Sequence, residues 1–300
     1  MRWSDSLDTQ SQYRVDGNIA RVASRGVCET IAMPHARVTG TAWDRHREDY
    51  AYTRELDFTG WAWEFLRRNE AFRRECRLNR VGHPTAIRLV SGTTLYRPRR
   101  RFLAAEEWGL ALFVDPDKTA LEADVFWLPE QLRYVVQCHC KPTNDNGAEQ
   151  LSLHLFHGRR AVLSGPAHEQ VTVQGTRKSA SLVVTSGSIL FGKSAVMFLH
   201  EGLNSATRHH ETLTNLRQLT IEAANVEVTK ACPDYKYLDY LIALDGQLEG
   251  RTYRDIAEVL YGKDRVGTHW TDDTRWMKSK VRRAVAQGLA LMNGGYRDLL

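Results

Sequence analysis

Towards its C-terminal end the chain repeats apolar positions at helical spacing in three successive blocks. Pro233 to Leu248 (PDYKYLDYLIALDGQL) reads as a support helix with Leu238, Leu241, Ile242 and Leu248 directed at a core. The second block, YRDIAEVLY, comes after Thr252. That hydroxyl and the Asp255 carboxylate three residues on have the spacing of a capping box. Tyr253, Ala257 and Leu260, with Ile256 beside them, give the block a packing face, and Gly262 stops it. After KDRVGTHW, Thr271, Asp272 and Asp273 supply acids for the positive end of a third helix, DTRWMKSKVRRAVAQGLALM. Met277, Val281, Ala284, Val285, Gly288 and Met292 form its apolar stripe. Arg275 and Arg282 point away from that stripe, flanked by Lys278, Lys280 and Arg283. Trp276 sits at the stripe's edge, where core packing is preferred to a wedge toward DNA. Three helices in this order make the simplest unit that holds one helix rigidly in a DNA groove. The expected turn, about ten residues from Gly262 to Asp272, is longer than the usual three or four.

Upstream the period changes. From about 131 to 200 the chain alternates apolar and polar in RYVVQCHC, LSLHLFHG, RRAVLSG, EQVTVQG, ASLVVTSG and SILFG, which predicts a small antiparallel sheet. GLNSATRHHETLTNLRQLTIEAAN then reads as helical through Leu213, Leu216 and Leu219. Before the sheet, DYAYTRELDFTG leads into one helix from Trp61 to Arg77. Trp61, Phe65, Phe72 and Cys76 share a face of it, and Arg67, Arg68, Arg73, Arg74 and Arg77 crowd the rest. Trp61 and Trp63 read as core anchors. Together with Phe65 and Leu66 they are also the candidate contact with the C-terminal domain. Arg97, Arg99, Arg100 and Arg101 form a basic cluster, read as a surface loop in preference to a second phosphate contact. Asp115, Pro116 and Asp117 mark a turn, and Phe126 to Leu128 a short strand or helix start. The expected class is α+β. A poorly ordered extension (1–47) precedes a helical N-terminal domain (48–130), a β-rich middle region with a helix (131–225) and an all-α extended-turn helix-turn-helix (226–300).

Charge sharpens this reading. The 300 residues carry 41 basic and 36 acidic side chains, a net of +5 with a pI near 9.0. Between 251 and 300 ten basic residues face six acidic ones, so most of the excess sits on the proposed reader and binding should depend on salt. A basic helix face is often merely solvated, but the order of helices favours DNA. Arg275, Lys278 and Arg282 are expected nearest base edges, and Lys263, Arg265, Lys280 and Arg283 mainly on phosphates. Tyr296, Arg297 and Asp298 of the ending GGYRDLL are expected to close the domain, with Leu299 and Leu300 packed.

No stretch approaches the roughly 20 apolar residues of a membrane span, and MRWSDSLDTQSQYRVDG has no apolar signal-peptide core, so a cytoplasmic protein is expected. Five scattered cysteines, Cys28, Cys76, Cys138, Cys140 and Cys232, are expected as reduced thiols. Cys138, His139 and Cys140 with His154 and His157 are the best metal candidates. In a strand Cys-x-Cys turns His139 to the opposite face, and His154 and His157 also diverge there, so no metal or other cofactor is expected. No phosphate loop, nucleophile elbow or recombinase constellation is present, and the expected class is not an enzyme.

Three segments carry a family resemblance. RTYRDIAEVLYG, then a Trp and KVRRAVAQGLALMNGGYRDLL, resembles the C-terminal domain, long described only as of unknown function, of regulators carried by proteobacterial integrative and conjugative elements. GWAWEFLRRNEAFRREC at 60–76 resembles the N-terminal transcriptional-regulator domain of the same family, and WGLALFVDPDKTA at 108–120 extends the likeness to residues 48–300. The resemblance implies an activator of element excision and transfer. Its C-terminal domain binds promoter DNA on one side and its own N-terminal domain on the other. It also implies, as a partner, a short acidic antiactivator competing for the N-terminal domain; the activator reading adds RNA polymerase as a candidate contact of the Trp61 region. The alternative is a protein-binding antiactivator or adaptor acting without DNA. The cationic reader and the presence of the N-terminal region favour the activator.

Overall fold

The computed structural model describes residues 45–79, 83–143, 150–200, 206–220, 234–270 and 275–300, all within the unit Arg37–Leu300. The predicted extension therefore lies outside the described residues up to 44, but Arg45, His46 and Arg47 are placed. Arg47 opens a 3-10 helix, Arg47–Glu55. Where one helix was expected from Trp61 to Arg77 there are two, α1 (Phe58–Leu66) and α2 (Glu70–Leu78). Asn69 divides them. Its extended backbone and its Oδ1, which accepts from the Phe72 amide at 3.2 Å, start a new helix as an N-cap does. Asp57 caps α1 the same way through the Gly60 amide at 2.9 Å.

Short strands β1 (Ile87–Arg88) and β2 (Thr94–Tyr96) come next, then an exposed loop holding Arg97, Arg99, Arg100 and Arg101, and α3 (Leu103–Glu106). Arg101 in that loop pairs with Glu106 at 2.5 Å.

The middle region contributes β3 (Val135–Pro142), β4 (Gln150–Leu151), β5 (Arg159–Ser164), β6 (Glu169–Gly175), β7 (Lys178–Ser186) and β8 (Ser194–Leu199), then α4 (Ala206–Thr220). They join one sheet in the order β1-β2-β5-β6-β7-β3-β8-β4. This corrects the expected antiparallel sheet. It is mixed, because β2 pairs with β5 and β3 with β7 in parallel, and two of its strands come from the N-terminal region. Alternation reports which face a residue takes and is silent on strand direction. Two expected strands give way to turns over most of their length, although Leu151 of the first ends β4. In LSLHLFHG, the Ser152 hydroxyl lies 2.7 Å from His154 Nδ1 and residues 153–155 wind into a 3-10 turn, so the strand geometry invoked for His154 and His157 does not hold. In SILFG, Ser188 and the Ile189 amide both bond the Glu169 carboxylate and fold the segment into a turn. SAVMFL, which lacks alternation, is the unforeseen strand β8.

Two apolar cores result. One face of the sheet buries Val136, Cys138, Val171, Val173 and Leu182 against Leu216 and Leu219 of α4. The second core joins α1 and α2 to the C-terminal helices α5 (Asp234–Leu248), α6 (Tyr253–Tyr261), α7 (Lys263–His269) and α8 (Arg275–Met292). Pro233, given to the support helix, lies outside the described residues. Leu238, Leu241 and Ile242 are buried there as expected, whereas Leu248, in the last turn of α5, is exposed. A 3-10 turn, Gly295–Leu299, closes the chain with Tyr296, Leu299 and Leu300 buried. Tyr296 Oη donates to the Trp108 carbonyl at 3.0 Å and Arg297 to that of Glu107 at 2.6 Å.

Helices α5 and α8 meet at Gly288. A Cβ there would lie 2.6 Å from the Tyr240 carbonyl oxygen and 2.9 Å from Leu244 Cβ. Gly288→Ala gains helix propensity worth about 1 kcal/mol, yet crowding against a rigid backbone costs about 1–3 kcal/mol. A net loss in urea denaturation is the expected result, growing steeply in Gly288→Val; an alanine variant more stable than the parent would refute the close approach.

Candidate DNA-binding surface

The reader is built upward from the α6 cap. Thr252 Oγ1 accepts from the Asp255 amide at 3.2 Å, and Asp255 Oδ2 accepts from the Thr252 amide at 3.0 Å, which is the capping box its spacing requires. Ile256, Ala257 and Leu260 are buried, but Tyr253, assigned to the same face, is 40% exposed because it begins the helix beyond its partners. Gly262 ends α6 at φ +90°, a conformation L side chains avoid. The connection beyond Gly262 is not a plain turn. Lys263–His269 form α7, fastened by fully buried Val266. A short helix thus replaces most of the long turn and presents Lys263 and Arg265 to solvent.

Thr271, Asp272 and Asp273, expected to start the last helix, lie outside the described residues. Helix α8 begins at Arg275, whose side chain lies outside them too. All six members of the predicted stripe are buried. Turning about 100° per residue, α8 then presents Ser279, Arg282, Arg283, Ala286 and Ala290 on its free side. Arg282 and Arg283 are exposed, and Arg283 Nε reaches back to the Ser279 carbonyl at 3.4 Å. Lys278 and Lys280 flank this face. The half-buried Lys278 ammonium sits 5.6 Å over the Trp270 ring, and that of exposed Lys280 sits 5.1 Å over Trp276. Trp276 is not in the core, being 41% exposed and tilted against Tyr261 at 6.2 Å. The stripe's edge proves to be the boundary between core and solvent.

The cations converge electrostatically. Burial and nearby Asp239 raise the Tyr261 hydroxyl above its ordinary pKa, while Arg47, Arg265 and Arg283 all pull it down. Burial likewise raises the Asp239 carboxyl against the pull of Arg47 and Lys280. Charges from α7, α8 and the start of the N-terminal region therefore gather around one aromatic. Arg47, expected at the end of a poorly ordered extension, instead reaches Asp239 at 3.1 Å and the Leu260 carbonyl at 3.3 Å.

The N-terminal candidates are all fully buried. Trp61 lies 5.7 Å from the Tyr237 ring of α5 and stacks on Phe65 at 6.3 Å, with Leu66 in the same core. Trp63 turns the other way, edge-on to Phe72 at 5.8 Å, with Nε1 donating to the Lys118 carbonyl at 3.0 Å. Beside them lies a polar network that hydrophobic patterning does not display. Glu64, fully buried, accepts from Tyr52, Arg67, Arg68 and the Ala120 amide at 2.7–2.8 Å. Arg68 spans to Asp245 of α5 at 2.5 and 3.0 Å, and Tyr50 donates to the same carboxylate at 2.9 Å. The available signal was one charge inside each of two apolar runs, WAWEFL and LIALDG.

Cys138 and Cys140 are free, buried and on one face of β3. Among the described residues no group of three or more His, Cys, Asp or Glu side chains is placed to hold a metal, and no helix is long and apolar enough to cross a membrane.

Two family models match. Residues 196–300 match one described as "T6SS, Transcription factor, DNA binding domain", and residues 43–111 one described as "Proteobacterial transcriptional regulator-like domain". The first match begins in β8 and takes in α4 as well as α5 to α8; the second takes in Arg45, Arg47 and both tryptophans of α1. A search of the curated proteins finds none that matches the chain. The two matches support a DNA-binding transcription regulator with DNA as its partner.

Proposed function

We propose that this chain is a sequence-specific activator of transcription, working in the cytoplasm through contact with promoter DNA and without a catalytic step. The observation carrying this reading is the exposed Arg282–Arg283 ridge on a helix whose opposite face is wholly buried. Such a helix brings fixed cations to the phosphates on both sides of a groove. Arg275 and Arg282 take the base-edge role, and Lys263, Arg265, Lys280 and Arg283 the phosphates. Lys278, laid over Trp270, serves the groove wall in preference to its floor. The genes proposed as targets are those for excision and conjugative transfer of a mobile element, on the likeness of RTYRDIAEVLYG and GGYRDLL to that family's regulators. The matched model's description names the T6SS, so secretion genes form a second set of targets that the same experiment tests.

Footprinting and salt-dependent binding of the full chain on its neighbouring promoters test this. Arg282→Ala with Arg283→Ala is expected to weaken binding at least tenfold, to relax sequence preference through the loss of Arg282, and to flatten the slope of log affinity against log salt by about one through the loss of Arg283. Absence of binding at low salt to any promoter fragment would overturn the activator and favour the protein-binding regulator. In that second reading the chain is itself an antiactivator or adaptor, acting through protein contacts of its C-terminal domain; in the first, an acidic antiactivator competing for the N-terminal region meets α1, whose Trp61, Trp63, Phe65 and Leu66 have no access to solvent here. It would have to displace α5 and α8 first.

A further inference from the structure

Trp276 stands apart from the tryptophans of the cores. Trp61, Trp63 and Trp127 are at most 3% exposed, whereas Trp276 gives 41% of its surface to water from the first turn of α8. Leaving so large an apolar surface in solvent forgoes stabilisation. It is also held in place rather than free to swing: the Tyr261 ring braces it at 6.2 Å and the Lys280 ammonium sits 5.1 Å over it. One helical turn apart on the same flank come Trp276, Lys280 and Arg283, and Tyr261 leads directly into α7 with Lys263 and Arg265.

We infer that Trp276 is a DNA-contacting residue, its exposed ring packing on the deoxyribose face of the duplex backbone where α8 enters the groove. This rests on the proposed DNA-binding function and adds to it an uncharged contact. The surroundings select the partner. Among the described residues of α6 to α8, Trp276 and Tyr253 are the only exposed large apolar side chains. That is too little for the continuous apolar stripe on which a partner helix docks. An apolar ring with the Lys280 ammonium over it and Arg283 one turn further along the same flank suits a polyanion whose charged phosphates alternate with apolar sugars. Because the sugar carries no sequence, the contact strengthens binding to all duplexes alike. Because it neutralises no phosphate, it leaves the salt dependence untouched.

The test measures affinity of the full chain against salt, for sheared duplex DNA and for its own promoter region. Trp276→Ala is expected to weaken both about tenfold with an unchanged slope, and Trp276→Tyr to restore most of the loss. Trp276→Leu keeps an apolar side chain against Tyr261 and serves as the fold control. It is expected to melt like the parent and bind several-fold more weakly. Tryptophan emission of the parent is expected to fall on adding DNA, with much of that quench missing in Trp276→Phe. Equal binding by parent and Trp276→Ala would overturn the inference and leave the DNA-binding function intact. A flattened slope in Trp276→Ala would also overturn it, showing that the ring only positions Lys280. No binding by the parent to either duplex would overturn both.

Discussion

Arg68→Ala is expected to cost about 3–5 kcal/mol of folding stability, as removal of one partner from a buried ion pair does. Arg68 is the only described guanidinium reaching both Glu64 of α1 and Asp245 of α5, with side-chain exposures of 11%, 0% and 8%. Deleting it takes the nearest cation from buried Asp245, which keeps the Tyr50 hydroxyl and, at 3.8 Å, a more exposed Arg45, and leaves Glu64 to Arg67 at 2.7 Å. The pH dependence carries a sign. Burial pushes both carboxyls up, but Arg68 leads the charges that outweigh it, so both titrate below their ordinary range in the folded protein. Their contribution is therefore complete above the unfolded value of about 4 and is lost as the pH falls through the depressed folded values. In the variant burial acts with much less opposition and the carboxyls are driven upward. The deficit should be largest at neutral pH and shrink in acid. Urea midpoints at pH 7 and pH 4 measure this, and a neutral-pH deficit under 1 kcal/mol would refute the coupling.

A loss of the same size is expected from Trp61→Ala, about 3–5 kcal/mol, because the removed ring leaves a cavity between α1 and α5 that neighbours fill only in part. Its indole Nε1 is buried with no hydrogen-bond partner among the described residues, so nothing polar is lost with it. Trp61→Phe should consequently be mild. The melting temperature of the alanine variant should fall by roughly 10 °C, and DNA affinity should fall with it near the transition, since α5, against which Trp61 packs, also supports α8. Thermal unfolding followed by circular dichroism checks the first. An alanine variant as stable as the parent would show that α1 does not hold α5.

The C-terminal helices were legible because their information is local. Thr252 and Asp255 announce α6 by spacing, and the α8 stripe from Met277 to Met292 is a pure period. Trp276 was misplaced because a wheel gives an angle and says nothing of how far the neighbouring helix extends. The sheet was half legible: β5, β6 and β7 alternate, but their partners β2 and β3 are chosen across long stretches of chain and their direction leaves no mark on alternation. The buried Glu64–Arg68–Asp245 network was illegible for the same reason. A carboxylate in an apolar run marks an exception, and that Asp245 pairs with Arg68, 177 residues before it, is known only once the helices are packed. Arg47 was hidden by the low apolar content around it.

The pairing of Trp61 with Tyr237 also sets a schedule. Tyr237 is made 176 residues after Trp61. At about 5–20 residues per second, the first helices would stand on the ribosome for roughly 9–35 s before their packing partner emerges. Through that interval WAWEFL is an uncovered apolar segment exposed to misassociation. Yield in a recombinant host should thus rise with slower initiation, lower temperature or added holdase chaperone, and the N-terminal half made alone should be poorly recovered.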